Sequence, residues 1–213
     1  MIKAVIFDMD GLLIDSEPSW YIALAEFLRA KGFEYTAELS NKIRGGGHKE
    51  SVRIFREEFG LEGNTEELII EMRSYFYKVF LANPKLLEGA REIVGNLREK
   101  KFALALATGT GPRDKVLEIL NVLKIKDYFE LIITGDEIAK GKPNPDIYLL
   151  ASERINIKPA ECLVLEDTVN GTLSGKAAGM TVYGVNKDKT IKESLLKAGA
   201  DKVFSSLLEI KDL

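Results

Sequence analysis

The sequence predicts an α/β fold: a doubly wound parallel sheet interrupted by an inserted helical domain. Three observations predict it. Short apolar runs recur along the chain, too short for helices and with little polar alternation. Such strands belong where helices cover both faces of a sheet. Between the later runs, apolar residues recur at helical spacing, which makes βαβ units. Between the first run and the second, a long stretch passes without a clear strand.

The first strand is read at 2–7. After it, residues 17–31 are helical, with Trp20, Leu24, Phe27 and Leu28 on one face. Residues 51–59 and 65–81 also read as helices. The second of these carries Leu68, Ile69, Met72, Phe76, Val79 and Phe80 on one stripe, and Asn64-Thr65-Glu66-Glu67 supplies cap residues and first-turn acids. We therefore expect a helical insertion over 16–82 and a core domain over 1–15 and 83–213. Asn83-Pro84 suits the return, because proline restricts itself and the residue before it. The remaining strands are expected at 102–107, 131–134, 162–165, 181–185 and 202–204. Ala90, Ile93, Val94 and Leu97 give one covering helix, Val116, Leu117, Leu120 and Leu123 another, and Ile147, Leu150, Ala151 and Ile155 a third.

A chain of 213 residues has room for one such core and a smaller domain. Apolar residues at 46% and charged residues at 30% exclude a disordered chain. Basic and acidic residues nearly balance at a net charge of −3, so nucleic acid is not the expected partner. The single cysteine, Cys162, excludes an internal disulfide and fits a reducing compartment. Acidic residues come too early for a signal peptide, and no apolar run approaches the ~18–20 residues of a membrane span. We expect a cytoplasmic protein without membrane partners. A monomer is expected, since the inserted helices have the core to cover.

Ligands of open α/β sheets bind beyond the carboxyl ends of the strands. The first strand ends in Asp8-Met9-Asp10-Gly11, the second in Thr108-Gly109-Thr110-Gly111. A loop after the third contains Gly141-Lys142-Pro143, and the fourth ends in Glu166-Asp167. In this topology all four ends share one rim. Asp8, Asp10, Glu166 and Asp167 would repel one another there, raising pKa values or demanding a cation. Hard oxygen ligands suit Mg²⁺. Carboxylates with a metal, a hydroxyl, an ammonium and loop N–H groups describe a phosphoryl-transfer site. Gly11 lets the backbone turn sharply towards a phosphate. Lys140 rivals Lys142, but the prolines beside Lys142 fix its loop. Thr108 has two compatible roles, helix cap and phosphate ligand. Cys162 reads as an apolar filler of its strand.

In these residues the sequence resembles the haloacid dehalogenase superfamily of phosphatases. The motifs are FDMDG at 7–11, the Thr108 strand end in LALATGT, Lys142 in GKPNPDIY and Glu166-Asp167 in VLEDTVNG, all in the family's order. DSEP at 15–18 and AAGM at 177–180 resemble the subgroup of β-phosphoglucomutase and sugar-phosphate phosphatases, which inserts a helical cap after the first motif.

The resemblance implies that Asp8 attacks phosphorus to form an aspartyl-phosphate, and that Asp10 serves the leaving alcohol and then water. It implies Mg²⁺ on the Asp8 carboxylate, the Asp10 carbonyl and Asp167. Glu166 is a second ligand, an outer partner or a loop acid. Thr108 and N–H groups near Gly11 and Gly109 would hold phosphoryl oxygens, and Lys142 would offset charge. The implied substrate is a small phosphate ester, such as a sugar phosphate. A phosphomutase is the alternative, although 16–20 lacks the histidine of β-phosphoglucomutases. Asp10 argues against carbon–halogen chemistry. The glycines at 45–47 lack a Walker pattern and a preceding strand, and so read as a turn between cap helices. Arg44 and His48 flank that turn. Each is either a substrate contact or part of a solvated basic turn.

Overall fold

The computed structural model describes residues 1–43, 47–211 and 213. The chain forms two compact units. One comprises Met1–Asp15 and Lys85–Leu213, the other Ser16–Pro84.

The first unit is built on a six-stranded sheet: β1 (Ala4–Phe7), β2 (Ala103–Ala107), β3 (Leu131–Ile133), β4 (Cys162–Glu166), β5 (Thr181–Val185) and β6 (Lys202–Phe204). The strand order is β3-β2-β1-β4-β5-β6, and every pairing is parallel. All six strands lie where the apolar runs predict them. The order reverses direction at β1, so a crevice opens between the carboxyl ends of β1 and β4. The register places Phe7 beside Leu106 on one side and Leu165 on the other. The residues that follow these three therefore start from one line.

Both faces of the central strands β1 and β4 are buried, which explains their unbroken apolar runs, whereas the edge strand β6 is only partly buried. Alternate residues Ile6, Ala105 and Val164 join Ile147 and Ala151 of the helix Asp146–Arg154 in one cluster. Val5, Phe7, Leu104 and Leu106 are equally buried on the other face. There Phe7 meets Phe129 edge-on at 5.8 Å. Ala90, Ile93, Val94 and Leu97 are all buried in their helix (Ala90–Glu99). In the helix Arg113–Val122, Val116, Ile119 and Leu120 are the buried residues, so the stripe runs through Ile119 and leaves Leu117 only half-buried. Cys162 is a buried free thiol inside β4.

The second unit contains four helices among the described residues: α1 (Glu17–Ala30), α2 (Ala37–Ile43), α3 (Gly47–Phe59) and α4 (Thr65–Ala82). Its own core joins Phe27 and Leu28 of α1, Phe55 of α3 and Met72 of α4. Trp20 stacks on Phe76 at 4.1 Å. Helix α3 begins four residues before the periodicity predicts, because its first turn is polar. The short α2 carries only two buried residues and leaves no periodic signal.

Asn64 caps α4: its Oδ1 accepts from the N–H groups of Glu66 at 2.9 Å and Glu67 at 3.3 Å. Two donors of the first turn are thereby satisfied. Asn64→Ala should lower unfolding stability by about 1 kcal/mol. Asn64→Asp should restore it in the same denaturant titration.

Candidate active site

The site grows from the ends of the central strands. Asp8 follows β1, and its N–H continues the ladder to Leu165 O at 3.1 Å. Thr108 follows β2, with its N–H on Ile133 O at 3.1 Å. Glu166 closes β4 and Asp167 follows it. Parallel pairing thus brings Asp8, Thr108, Glu166 and Asp167 to one rim. Lys142 arrives from the loop after β3. That loop turns through Asn144 N–H to Gly141 O at 3.1 Å, and Ser174 Oγ donates to Asn144 O at 2.6 Å. Lys140 is exposed, whereas Lys142 points inward.

Lys142 is the centre of the arrangement. Its Nζ donates to Asp8 Oδ1 at 2.6 Å, to Glu166 Oε1 at 2.6 Å and to Ala107 O at 3.3 Å. An ammonium has three donors, and all three are used. Burial would strip its proton, but the charges of Asp8 and Glu166 hold its pKa well above the ordinary lysine value.

The four acids have different surroundings. Glu166 is fully buried and full: Oε1 accepts from Lys142 and from Tyr148 OH at 2.8 Å. Its Oε2 accepts from Asp167 N–H at 3.0 Å, Thr168 N–H at 3.1 Å and Thr168 Oγ1 at 2.9 Å. Burial alone would raise its pKa; Lys142 and these donors bring it below the ordinary value. Burial pushes Asp8 up to about 7, against the pull of Lys142 and helped by Glu166 and Asp10. Asp167 is also raised well above its ordinary value, by burial and then by the charges of Glu166 and Asp8. The Asp10 carboxylate is held from the β2 side: Oδ2 accepts from Thr110 Oγ1 at 2.7 Å and lies 3.5 Å from Thr108 Oγ1.

Carboxylate oxygens of Asp8, Glu166 and Asp167 come within 4.8 Å of one another. Asp167 Oδ1 is buried and accepts no hydrogen bond. A buried carboxylate oxygen left so is costly, and a cation beside it would remove the cost. The donor set, all hard oxygen, fits a divalent ion such as Mg²⁺. By occupancy Asp8 and Asp167 fit as ligands, since the oxygens of Glu166 are already taken.

Two glycines are needed for this geometry. Gly11 has φ +78°, and a Cβ there would lie 2.2 Å from Asp167 Oδ2. At Gly171, in the first turn of the helix Val169–Ala177, a Cβ would lie 1.7 Å from Glu166 Oε1. At Gly109 a Cβ would meet nothing within 4 Å, so that residue is not required by close approach. Thr108 does not cap a helix, because the next helix starts at Arg113 after Pro112; its Oγ1 accepts the N–H of Thr110 at 3.0 Å.

His48 lies in the helical unit on α3, against Trp20 at 4.7 Å. Its Nε2 is buried without a partner, and burial, then Arg73, lowers its pKa to about 4. It is therefore a neutral imidazole and not part of a basic turn. Arg44 lies outside the described residues, as do the glycines at 45 and 46. Thr110, Tyr148, Thr168 and Gly171 shape the site without appearing among the sequence candidates. Tyr148 stands in the quoted GKPNPDIY motif, and its burial beside Ile147 is the signal that could have found it.

A model of the haloacid dehalogenase-like hydrolase family matches residues 5–185. The chain belongs to this family. The phosphorylated carbohydrates phosphatase of Thermotoga maritima is 36% identical over 199 residues, 93% of this chain and 92% of that one. (DL)-glycerol-3-phosphatase 2 of Arabidopsis thaliana is 33% identical over 220 residues, 99% of this chain and 89% of that one. The crystal structure of CbbY from Rhodobacter sphaeroides in complex with phosphate superposes with a TM-score of 0.83 at 26% identity, covering 99% of this chain and 96% of that one. As a member of this haloacid dehalogenase-like family, the chain is an enzyme of the phosphoric monoester hydrolase type. Among the described residues, no helix is long and apolar enough to cross a membrane.

Two measurements probe the acid cluster. Gly171→Ala should displace Glu166 and lower stability by ~2 kcal/mol or more, whereas an ordinary exposed helical glycine gains from that change. The second concerns pH. A carboxyl whose folded pKa exceeds its unfolded value keeps a proton that the unfolded chain has lost. Stability then falls as pH rises between the two values. For Asp8 that window runs from 3.8 to about 7. Added Mg²⁺ should therefore raise the melting temperature more above pH 7 than at pH 4.

Proposed function

We propose that this chain is a Mg²⁺-dependent phosphatase of a small phosphorylated metabolite, a sugar phosphate or a similar phosphomonoester. The observation that carries the reading is one ammonium, Lys142, bonded at 2.6 Å to both Asp8 and Glu166, at the point where the sheet reverses direction. Kinship with phosphatases of phosphorylated carbohydrates and of glycerol phosphate supports the substrate class.

Asp8 is the phosphoryl acceptor. One carboxylate oxygen forms a bond to phosphorus as the bond from phosphorus to the ester oxygen breaks, leaving an aspartyl-phosphate. Asp10 delivers a proton to the departing alkoxide. In the second half Asp10 takes a proton from water, water oxygen bonds to phosphorus, and the bond to Asp8 breaks to release phosphate. Thr110 fixes Asp10 for both transfers through its 2.7 Å hydrogen bond. Lys142 opposes the burial that raises the pKa of Asp8. Thr108 and the N–H groups near Gly11 and Gly109 receive phosphoryl oxygens. Asp8, the Asp10 carbonyl and Asp167 would hold Mg²⁺, which when bound offsets the charge gathered on the phosphoryl oxygens. Glu166 stands behind Lys142 and orients it.

Phosphate release from a panel of phosphate esters with Mg²⁺ tests the assignment. We expect release from small sugar phosphates and none with Asp8→Asn. Asp10→Asn should slow turnover by about 10²–10⁴-fold. A wild-type rate in Asp8→Asn would overturn the reading. Phosphoryl return to the sugar without free phosphate would mark a phosphomutase instead.

A further inference from the structure

One buried side chain touches both Lys142 and Glu166. Tyr148 sits in the first turn of the helix Asp146–Arg154, six residues after Lys142. It is completely buried. Its hydroxyl donates to Glu166 Oε1 at 2.8 Å, the same oxygen that takes Lys142 Nζ at 2.6 Å. The face of its ring lies 4.9 Å from that Nζ. A hydroxyl satisfied in this way explains why a tyrosine is buried there, but phenylalanine would fill the space as well. The extra oxygen is aimed at the second carboxylate that shares the ammonium with Asp8.

We propose that Tyr148 is a positioning residue that keeps Lys142 on Asp8. Each carboxylate oxygen has limited acceptor capacity. By occupying part of Glu166 Oε1, the tyrosine hydroxyl weakens that oxygen's hold on Lys142, and the ammonium stays shared with Asp8. The ring face adds a cation–π contact that holds Nζ in place. Without the hydroxyl, Glu166 Oε1 has Lys142 as its only donor, and the ammonium shifts towards Glu166. This inference rests on the reading of Asp8 as the phosphoryl acceptor.

The test is a double-mutant cycle of Tyr148→Phe, Lys142→Met and the double variant, with rates normalised to the folded fraction from melting curves. Tyr148→Phe should lower kcat roughly tenfold, the scale of one hydrogen bond to a charged group. KM should change by less than about twofold, since Tyr148 is placed on Glu166 and not on substrate. The Mg²⁺ concentration for half-maximal rate should stay the same. In the Lys142→Met background Tyr148→Phe should have no further effect on kcat. An equal loss in both backgrounds, or no loss in either, overturns the proposal. Failure of the site reading itself looks different: Lys142→Met and Asp8→Asn would then release phosphate at the wild-type rate.

Discussion

The buried contact between one ammonium and two carboxylates governs the first unit. Taking Lys142, Asp8 and Glu166 out of water carries a desolvation cost of several kcal/mol per charge, and their attraction offsets it only with good geometry and every remaining proton and lone pair occupied. The structure meets that condition on the lysine and on Glu166, where three donors and two saturated oxygens are matched. The condition reaches outward. Glu166 needs the start of the helix after β4, that helix needs Gly171 for clearance, and the lysine loop is tied to the same helix through Ser174. Covalently distant segments are thus committed to one geometry by a single electrostatic requirement.

The same condition is not met at Asp167. Its raised pKa and its unbonded buried oxygen show that the protein alone leaves charge there uncompensated. Stability and function diverge at this point. A fold optimised for stability alone would not gather acids at one rim, and on the proposed reading the excess would draw a cation and, through it, an anionic ester. Gly11 serves this excess too, because any side chain there would push Asp167 away.

Much of this was legible in the sequence, and the reason is periodicity. Six apolar runs found six strands; for the central ones this is because a strand buried on both faces has little freedom in composition, while the edge strand β6 is only partly buried. The residues after those strands were legible because the topology delivers them to one rim. Lys142 could be preferred to Lys140 because prolines stiffen its loop, and the structure has Lys140 exposed. Other features were hidden. Thr110, two residues beyond Thr108, reads as one more polar loop residue, and only the folded turn aims its hydroxyl at Asp10. Gly171 closes the quoted VLEDTVNG motif, but its need for clearance is not visible there, since its partner lies five residues away on another element. The α2 helix has two buried residues, too few to make a period.

Glu166 shows why composition could not assign roles among the acids. From the sequence its three readings stood level, since a carboxylate's chemistry depends on what donates to it. Once donors are counted, the acids separate. Glu166 accepts five hydrogen bonds, stays ionised and has no lone pair left for a metal, so it holds Lys142 and raises the pKa of Asp8 and Asp167 without binding a cation itself. Asp10 is gripped at one oxygen by a threonine hydroxyl, which would hold it in place for the proton transfers proposed for it. Asp8 is gripped at one oxygen by an ammonium, which offsets part of the rise that burial causes in its pKa. Residues of nearly the same chemistry are thus set apart by the number and charge of the donors around them. That number is fixed by where each strand of a parallel sheet ends.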